Sequence, residues 1–252
     1  MPAFVVRVDI SVSLDVLFLS HNIGKRKENV VSNKRYISMK KSITVDELKK
    51  HFFDGMTIMV GGFLNNSSPA HIIDAIIESG VKDITLIAND TSYPDRGCGR
   101  LIEKKLVKKL IASHIGTNPL TGQQMNEGSL EVEFSPQGTL AERIRAAGAG
   151  LGGVLTRTGL ATDVEKGKEK IVVDGKEYLL EKPLHADFAF LQAQEGDEIG
   201  NLVFKGTAQN FQPLMAMAAD KVAVEIEHKV PVGAISPEAV HVPSILVTWI
   251  VE

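Results

Sequence analysis

The stretch from Glu131 to Gly153 constrains this chain most, because it spells out a strand, an elbow, a helix and a string of glycines in one pass. Leu130, Val132 and Phe134 alternate with Glu131 and Glu133, the period of a strand with one apolar face. Pro136 stops that strand, and Thr139 followed by Glu142 is spaced as a capping box opening a helix at Leu140. Gln137 and Gly138 are therefore expected on the elbow, where strand carbonyls end and helix N–H groups begin. Chains that alternate strand and helix build ligand sites at such elbows. The glycines at 148, 150, 152 and 153 are expected to let backbone pass close to a ligand or another chain.

The same alternation runs through most of the sequence. Thr44 and Glu47 form another capping box, opening a helix expected to reach about Phe53. Met56–Val60 and Ile84–Ala88 are continuous apolar runs of the kind buried on both faces. Between them, Pro69 starts a helix with Ile72, Ile73, Ile76 and Ile77 at helical spacing, closed by Gly80. A strand at Lys109–Ala112 and a loop at Gly116–Pro119 lead to the strand at 130–134. This order predicts an α/β fold, a mainly parallel sheet flanked by helices. Asp174-Gly175, between apolar runs at 170–173 and 177–180, predicts an inserted β-hairpin. Strands at 186–193 and 222–227, a helix at 210–219 and a final strand at 242–251 complete the reading.

Of 252 residues, 44% are hydrophobic and 23% charged, which suits one large globular domain without a membrane span of about 20 apolar residues. A net charge of −3 gives no electrostatic footprint for nucleic acid or an acidic membrane. The single cysteine, Cys98, excludes an internal disulfide and suits a reducing cytoplasm. Residues 1–38 break the pattern, with a patchy apolar run and then a basic, polar stretch. They are expected to be a leader outside the domain at 39–252, with an added edge strand as the competing reading.

Chemistry-bearing residues are sparse. Gly61-Gly62-Phe63 after a buried strand fits a ligand loop and a tight strand-to-helix turn equally well, and its spacing is not the Gly-x-Gly-x-x-Gly of a dinucleotide site. Asn89-Asp90 ends the next strand, where it either caps the following turn or bonds a ligand; capping is the better expectation. Cys98 has no identifiable base beside it and reads as a buried thiol. His114 reads as satisfying a local hydrogen bond, and the seven histidines lack metal-ligand spacing. Gln137 can donate to a developing oxyanion, or simply bond its own turn. Neither a nucleophile elbow nor a phosphate-binding Gly-Lys-Ser/Thr loop occurs. The pattern is that of a binding platform without its reactive group.

Together these segments resemble the α subunits of family I CoA-transferases, closest to acetate or butyrate–acetoacetate CoA-transferases. The resemblance rests on Asp54 through Pro69, Leu86–Thr91, Ile111–Pro119 and Pro136–Thr139, and spans residues 39–252. It implies movement of CoA between a short-chain acyl-CoA (acetyl-, butyryl- or acetoacetyl-CoA) and a free carboxylic acid. It implies a nucleophilic glutamate in a Ser-Glu-Asn-Gly tetrapeptide of a β subunit, which this chain lacks, an α2β2 assembly, and CoA as substrate with no permanently bound cofactor or metal. By similarity, Gly61, Gly62, Phe63, Leu64, Asn65, Asn66 and Ser67 form the CoA loop, and Gln137 and Asn89 polarise the thioester carbonyl. One position departs from the family pattern. Ser67 stands where glycine is usual, and serine is strained if that position needs positive φ. A non-catalytic ligand-sensing module on a related scaffold is the alternative, since fold alone does not fix function; a Rossmann dehydrogenase is more distant.

Overall fold

The computed structural model describes residues 41–252. The expected leader at 1–38 lies outside the described residues.

The apolar runs become the strands of a nine-stranded sheet. In chain order the elements begin β1 (Ser42–Ile43), α1 (Val45–Lys49), β2 (Thr57–Val60), α2 (Ala70–Ser79) and β3 (Ile84–Asp90). They continue with α3 (Gly99–Glu103), β4 (Val107–His114), α4 (Pro119–Asn126), β5 (Glu131–Phe134) and α5 (Gln137–Gly148). Then come β6 (Val154–Thr156), β7 (Lys170–Val173), β8 (Lys176–Glu181), β9 (Ala186–Asp197) and β10 (Leu202–Val203). The chain ends through α6 (Gln212–Ala218), β11 (Ala219–Val230) and β12 (Trp249–Val251). The sheet order is β1-β12-β11-β9-β2-β3-β4-β5, every neighbouring pair parallel, with β10 antiparallel on β9.

Successive strand residues bury on opposite faces, which is why these strands read as unbroken apolar runs. Ile58, Leu86 and Leu110 face α2 and α3 with Ile72, Ile73, Ile76 and Leu101. Met59, Ile87 and Ile111 face α5 and α6 with Leu140, Ile144 and Met215. The expected hairpin at Asp174-Gly175 is present: β7 and β8 pair antiparallel, and β6 joins β8 to make a separate three-stranded sheet.

Four local expectations are corrected. The helix opened by the Thr44–Glu47 capping box does form, but it stops at Lys49 rather than near Phe53. The second capping box does not form. Helix α5 starts at Gln137, two residues before Thr139, with Pro136 at the N-cap and no side-chain cap. Proline fixes φ near the value a helix entry needs, so the chain turns helical at once. Thr139 is then buried in the first turn and Glu142 pairs with Arg145 at 2.7 Å. The glycine string lies at the far end of this 12-residue helix, about 18 Å from the elbow at 1.5 Å per residue. Gly148 lets α5 meet α6: a Cβ there would sit 2.5 Å from Met217 Cβ. The final strand is three residues rather than ten, because Pro243 and a 3₁₀ turn at Ser244–Leu246 interrupt it.

A charged cluster fastens the small sheet to α5. Arg143 Nη1 meets Glu133 at 2.7 Å, its Nε donates to the Lys182 carbonyl at 2.9 Å, and Glu181 lies 3.8 Å away. Lys168 closes the cluster on Glu181 at 2.6 Å. Burial alone would raise the Glu133 carboxyl; Arg143 and Lys109 outweigh it and hold the group below its ordinary range.

Candidate functional site

The carboxyl ends of β2, β3 and β4 and the start of α5 converge on one cavity of about 320 Å³. Its wall includes Phe63, Leu64, Asn89, Ser113, His114 and Gln137. Asp90 and Thr117 complete it. A second cavity of about 320 Å³ shares Phe63 and Gln137 and extends toward Gly206, Thr207 and Asn210. The elbow is thus an open site, although it arises from a proline-started helix rather than a capped one. With no side-chain cap, the first N–H groups of α5 remain without acceptors from the N-cap, beside Gln137.

Sheet order brings together residues that sequence order separates. Gln137 Nε2 donates to Asn89 Oδ1 at 3.0 Å, and Ser113 Oγ donates to the Asn89 carbonyl at 2.7 Å and approaches Oδ1 at 3.1 Å. The expectation that Asn89-Asp90 caps the next turn divides between the two residues. Asp90 takes that role, accepting from Ser92 N at 2.6 Å and from Leu64 N at 3.2 Å. Asn89 does not cap; it donates to Asp90 Oδ2 at 3.1 Å and turns its amide to the cavity wall. Gln137 likewise bonds Asn89 rather than its own turn.

The loop from Gly61 to Ser67 is tightly wound. Phe63 and Asn66 exchange backbone hydrogen bonds at 3.1 and 2.9 Å. Leu64, Asn65 and Ser67 all have positive φ, at 48°, 73° and 55°. The departure at Ser67 is therefore a strained one, and Leu64 and Asn65 share the left-handed geometry. Left-handed backbone costs a non-glycine residue about 1–2 kcal/mol. Ser67→Gly should raise unfolding stability by up to about 1 kcal/mol in urea titration, the strain relief exceeding the extra chain entropy of glycine. A loss of stability would mean that Ser67 is held there by its side chain.

Two buried polar residues hold this loop and the start of the helix after it, Gln212 on the loop and Glu225 on α2. Gln212 Oε1 accepts from Gln192 N at 2.8 Å, while its Nε2 donates to the Ala208 carbonyl at 3.0 Å and the Ser67 carbonyl at 3.4 Å. It packs so closely on Gly61 that a Cβ there would fall 2.4 Å from Oε1. Gly61 is needed for that approach. Glu225 accepts from Ile72 N at 2.7 Å, supplying to α2 the N-terminal acceptor that Pro69 cannot. Burial pushes the Glu225 carboxyl above its ordinary range.

Cys98 is buried, donates to the Asp90 carbonyl at 3.2 Å, and burial pushes its thiol up to about 12. A buried thiol held in its neutral form is poorly suited to nucleophilic attack. His114 corrects another expectation: no hydrogen bond to either ring nitrogen is found among the described residues, and the imidazole stands on the cavity wall. Ser113, Thr117 and Gln212 were not singled out by sequence. For Ser113 the available signal was its place at the carboxyl end of a parallel strand; Gln212 offered none. Among the described residues no group of three or more His, Cys, Asp or Glu side chains is placed to hold a metal ion, and no helix is long and apolar enough to cross a membrane.

The fold is a parallel α/β sheet with two bonded side-chain amides, Asn89 and Gln137, beside the cavity at its carboxyl ends. The chain matches the family described as Coenzyme A transferase over residues 41–252, and it belongs to that family. It is 53% identical over 212 residues, 84% of this chain and 97% of the other, to the acetoacetyl-CoA:acetate/butyrate CoA transferase alpha subunit of Clostridium acetobutylicum. It is 49% identical over 211 residues, 84% of this chain and 96% of the other, to acetate CoA-transferase subunit alpha of Escherichia coli. An acyl-CoA transferase from E. coli O157:H7, solved as a thioester complex with CoA, superposes with a TM-score of 0.75. That likeness, at 22% identity over 83% of this chain and 49% of the other, shows the fold alone; the chain spans about half of that protein.

Proposed function

We propose that this chain is the α subunit of a heteromeric CoA-transferase that moves CoA between a short-chain acyl-CoA and a free carboxylic acid, with residues 39–252 as its single functional domain. The observation that carries this reading is a cavity with amide donors and no available carboxylate nucleophile. Asp90, the one carboxylate on the wall, is occupied by Leu64 N, Asn89 Nδ2 and Ser92 N. A glutamate from a β subunit completes the chemistry.

That carboxylate attacks the thioester carbonyl carbon, forming an acyl-glutamyl anhydride and releasing CoA as its thiolate. The thiolate then attacks the glutamyl carbonyl, the acid leaves as carboxylate, and the enzyme carries CoA as a thioester. A second acid reverses the sequence. Each attack builds negative charge on the carbonyl oxygen, which the Asn89 and Gln137 amides stabilise. Gly61 through Ser67 contact CoA, their backbone fixed before substrate arrives by the Phe63–Asn66 bonds and by Gln212. The enzyme works as α2β2 in the reducing cytoplasm, where Cys98 stays a thiol.

Support comes from the relatives, whose names describe acetate, butyrate and acetoacetyl-CoA transferase alpha subunits. The purified chain alone should transfer no CoA. Adding the cognate β subunit should give acetyl-CoA-dependent activity with acetoacetate or butyrate, in a particle whose scattering mass equals two copies of each chain. Transfer by the lone chain, or an inactive α–β complex, overturns the reading.

A further inference from the structure

The donors of the main cavity are nearly all committed within the chain, and counting them singles out one residue. Thr117 gives its hydroxyl hydrogen to the Ser92 carbonyl at 2.8 Å, and Ser113 gives its own to Asn89. Asn89 Nδ2 has one of its two hydrogens on Asp90, and Gln137 Nε2 has one on Asn89. Phe63 and Leu64 have no polar side-chain atom. The side-chain donors left for a ligand are therefore the second hydrogens of the Asn89 and Gln137 amides, and the imidazole of His114.

These donors occupy two places. The two amides are bonded to each other and so occupy one part of the wall. His114 stands one residue beyond Ser113 on β4, in register with Asp90 on β3. Side chains of successive strand residues point to opposite faces, so the imidazole is offset from the amide pair. It is seated over Gly116, where a Cβ would lie 2.9 Å from Cε1 and 3.1 Å from Nε2. A simple alkanoyl group has one oxygen to offer this cavity. A 3-oxoacyl group has two, on alternate carbons.

We infer that His114 donates a hydrogen bond to the 3-oxo oxygen of a 3-oxoacyl substrate while Asn89 and Gln137 hold the thioester carbonyl, making His114 the residue that favours 3-oxo acids over plain alkanoic acids. The inference rests on the CoA-transferase reading. A site built to bond a substrate oxygen loses discrimination when its donor is removed. His114→Phe keeps a ring of similar size on an exposed wall but has no donor; His114→Gln restores one.

The test uses the assembled α–β enzyme with acetyl-CoA as donor, and compares kcat/KM for acetoacetate with that for butyrate. His114→Phe should lower the acetoacetate-to-butyrate ratio about 10- to 100-fold, and His114→Gln should recover most of it. An unchanged ratio in His114→Phe, or a ratio equally low in both variants, overturns the assignment while leaving the transferase reading intact. A wild-type complex inactive with both acids overturns the transferase reading and this inference with it.

Discussion

Replacing Gln137 by alanine in the assembled enzyme should lower kcat about 100-fold, the loss expected when one preorganised oxyanion donor is removed. The side chain lies at the first residue of α5, with one amide hydrogen bonded to Asn89 Oδ1 at 3.0 Å and the other directed by that bond. Because the donor matters most as charge develops on the carbonyl oxygen, KM should change far less than kcat. Alanine is a good residue at this helical position, so folding should be preserved. A normal circular dichroism spectrum with unchanged kcat would leave Gln137 as a residue that merely holds Asn89. Equal changes in kcat and KM would point to general disturbance of the cavity instead.

The second large effect is on stability. Arg143→Met should cost about 3 kcal/mol, measured by urea titration of the α chain, because it breaks a buried charge pair from one side. Glu181 is only 1% exposed and would keep Lys168 alone, while Glu133 and the Lys182 carbonyl would lose their strongest donor. Methionine restores most of the aliphatic packing, so the loss would report chiefly the two carboxylates left with one lysine each, Glu181 with Lys168 and Glu133 with Lys109. Arg143→Lys should fall between, since an ammonium keeps the charge but not the forked geometry. A cost under about 1 kcal/mol for Arg143→Met would show that water or Lys168 relieves Glu181 without help from α5.

How far the fold was legible depended on whether its signal was local. The Ile58/Met59, Leu86/Ile87 and Leu110/Ile111 pairs announce strands buried on both faces, and the structure places each pair across the sheet. Asp174-Gly175 predicted its hairpin because φ > 0 is required at both positions of the turn, and both residues have it, at 49° and 71°. The capping box at Thr139 failed because Pro136, three residues earlier, offered an equally local start with a fixed φ. The strand expected at 242–251 failed because apolar content was read through Pro243, which cannot serve a central strand. Ile245, 88% exposed, shows how little that segment is buried.

By itself the sequence determined an α/β fold, a strand-to-helix elbow at Gln137 and a glycine-led turn after the strand that ends at Val60. Those properties follow from periodicity, backbone restriction and residue type, all of which act over a few neighbouring positions. Only the tertiary structure decided that Asn89 and Gln137, 48 positions apart, share one hydrogen bond, and that Gln212 reaches Ser67 across 145. It also freed His114 from the local partner expected of it. Hydrogen-bond partners are set by which strands lie side by side, and sheet order is a property of the whole packed chain.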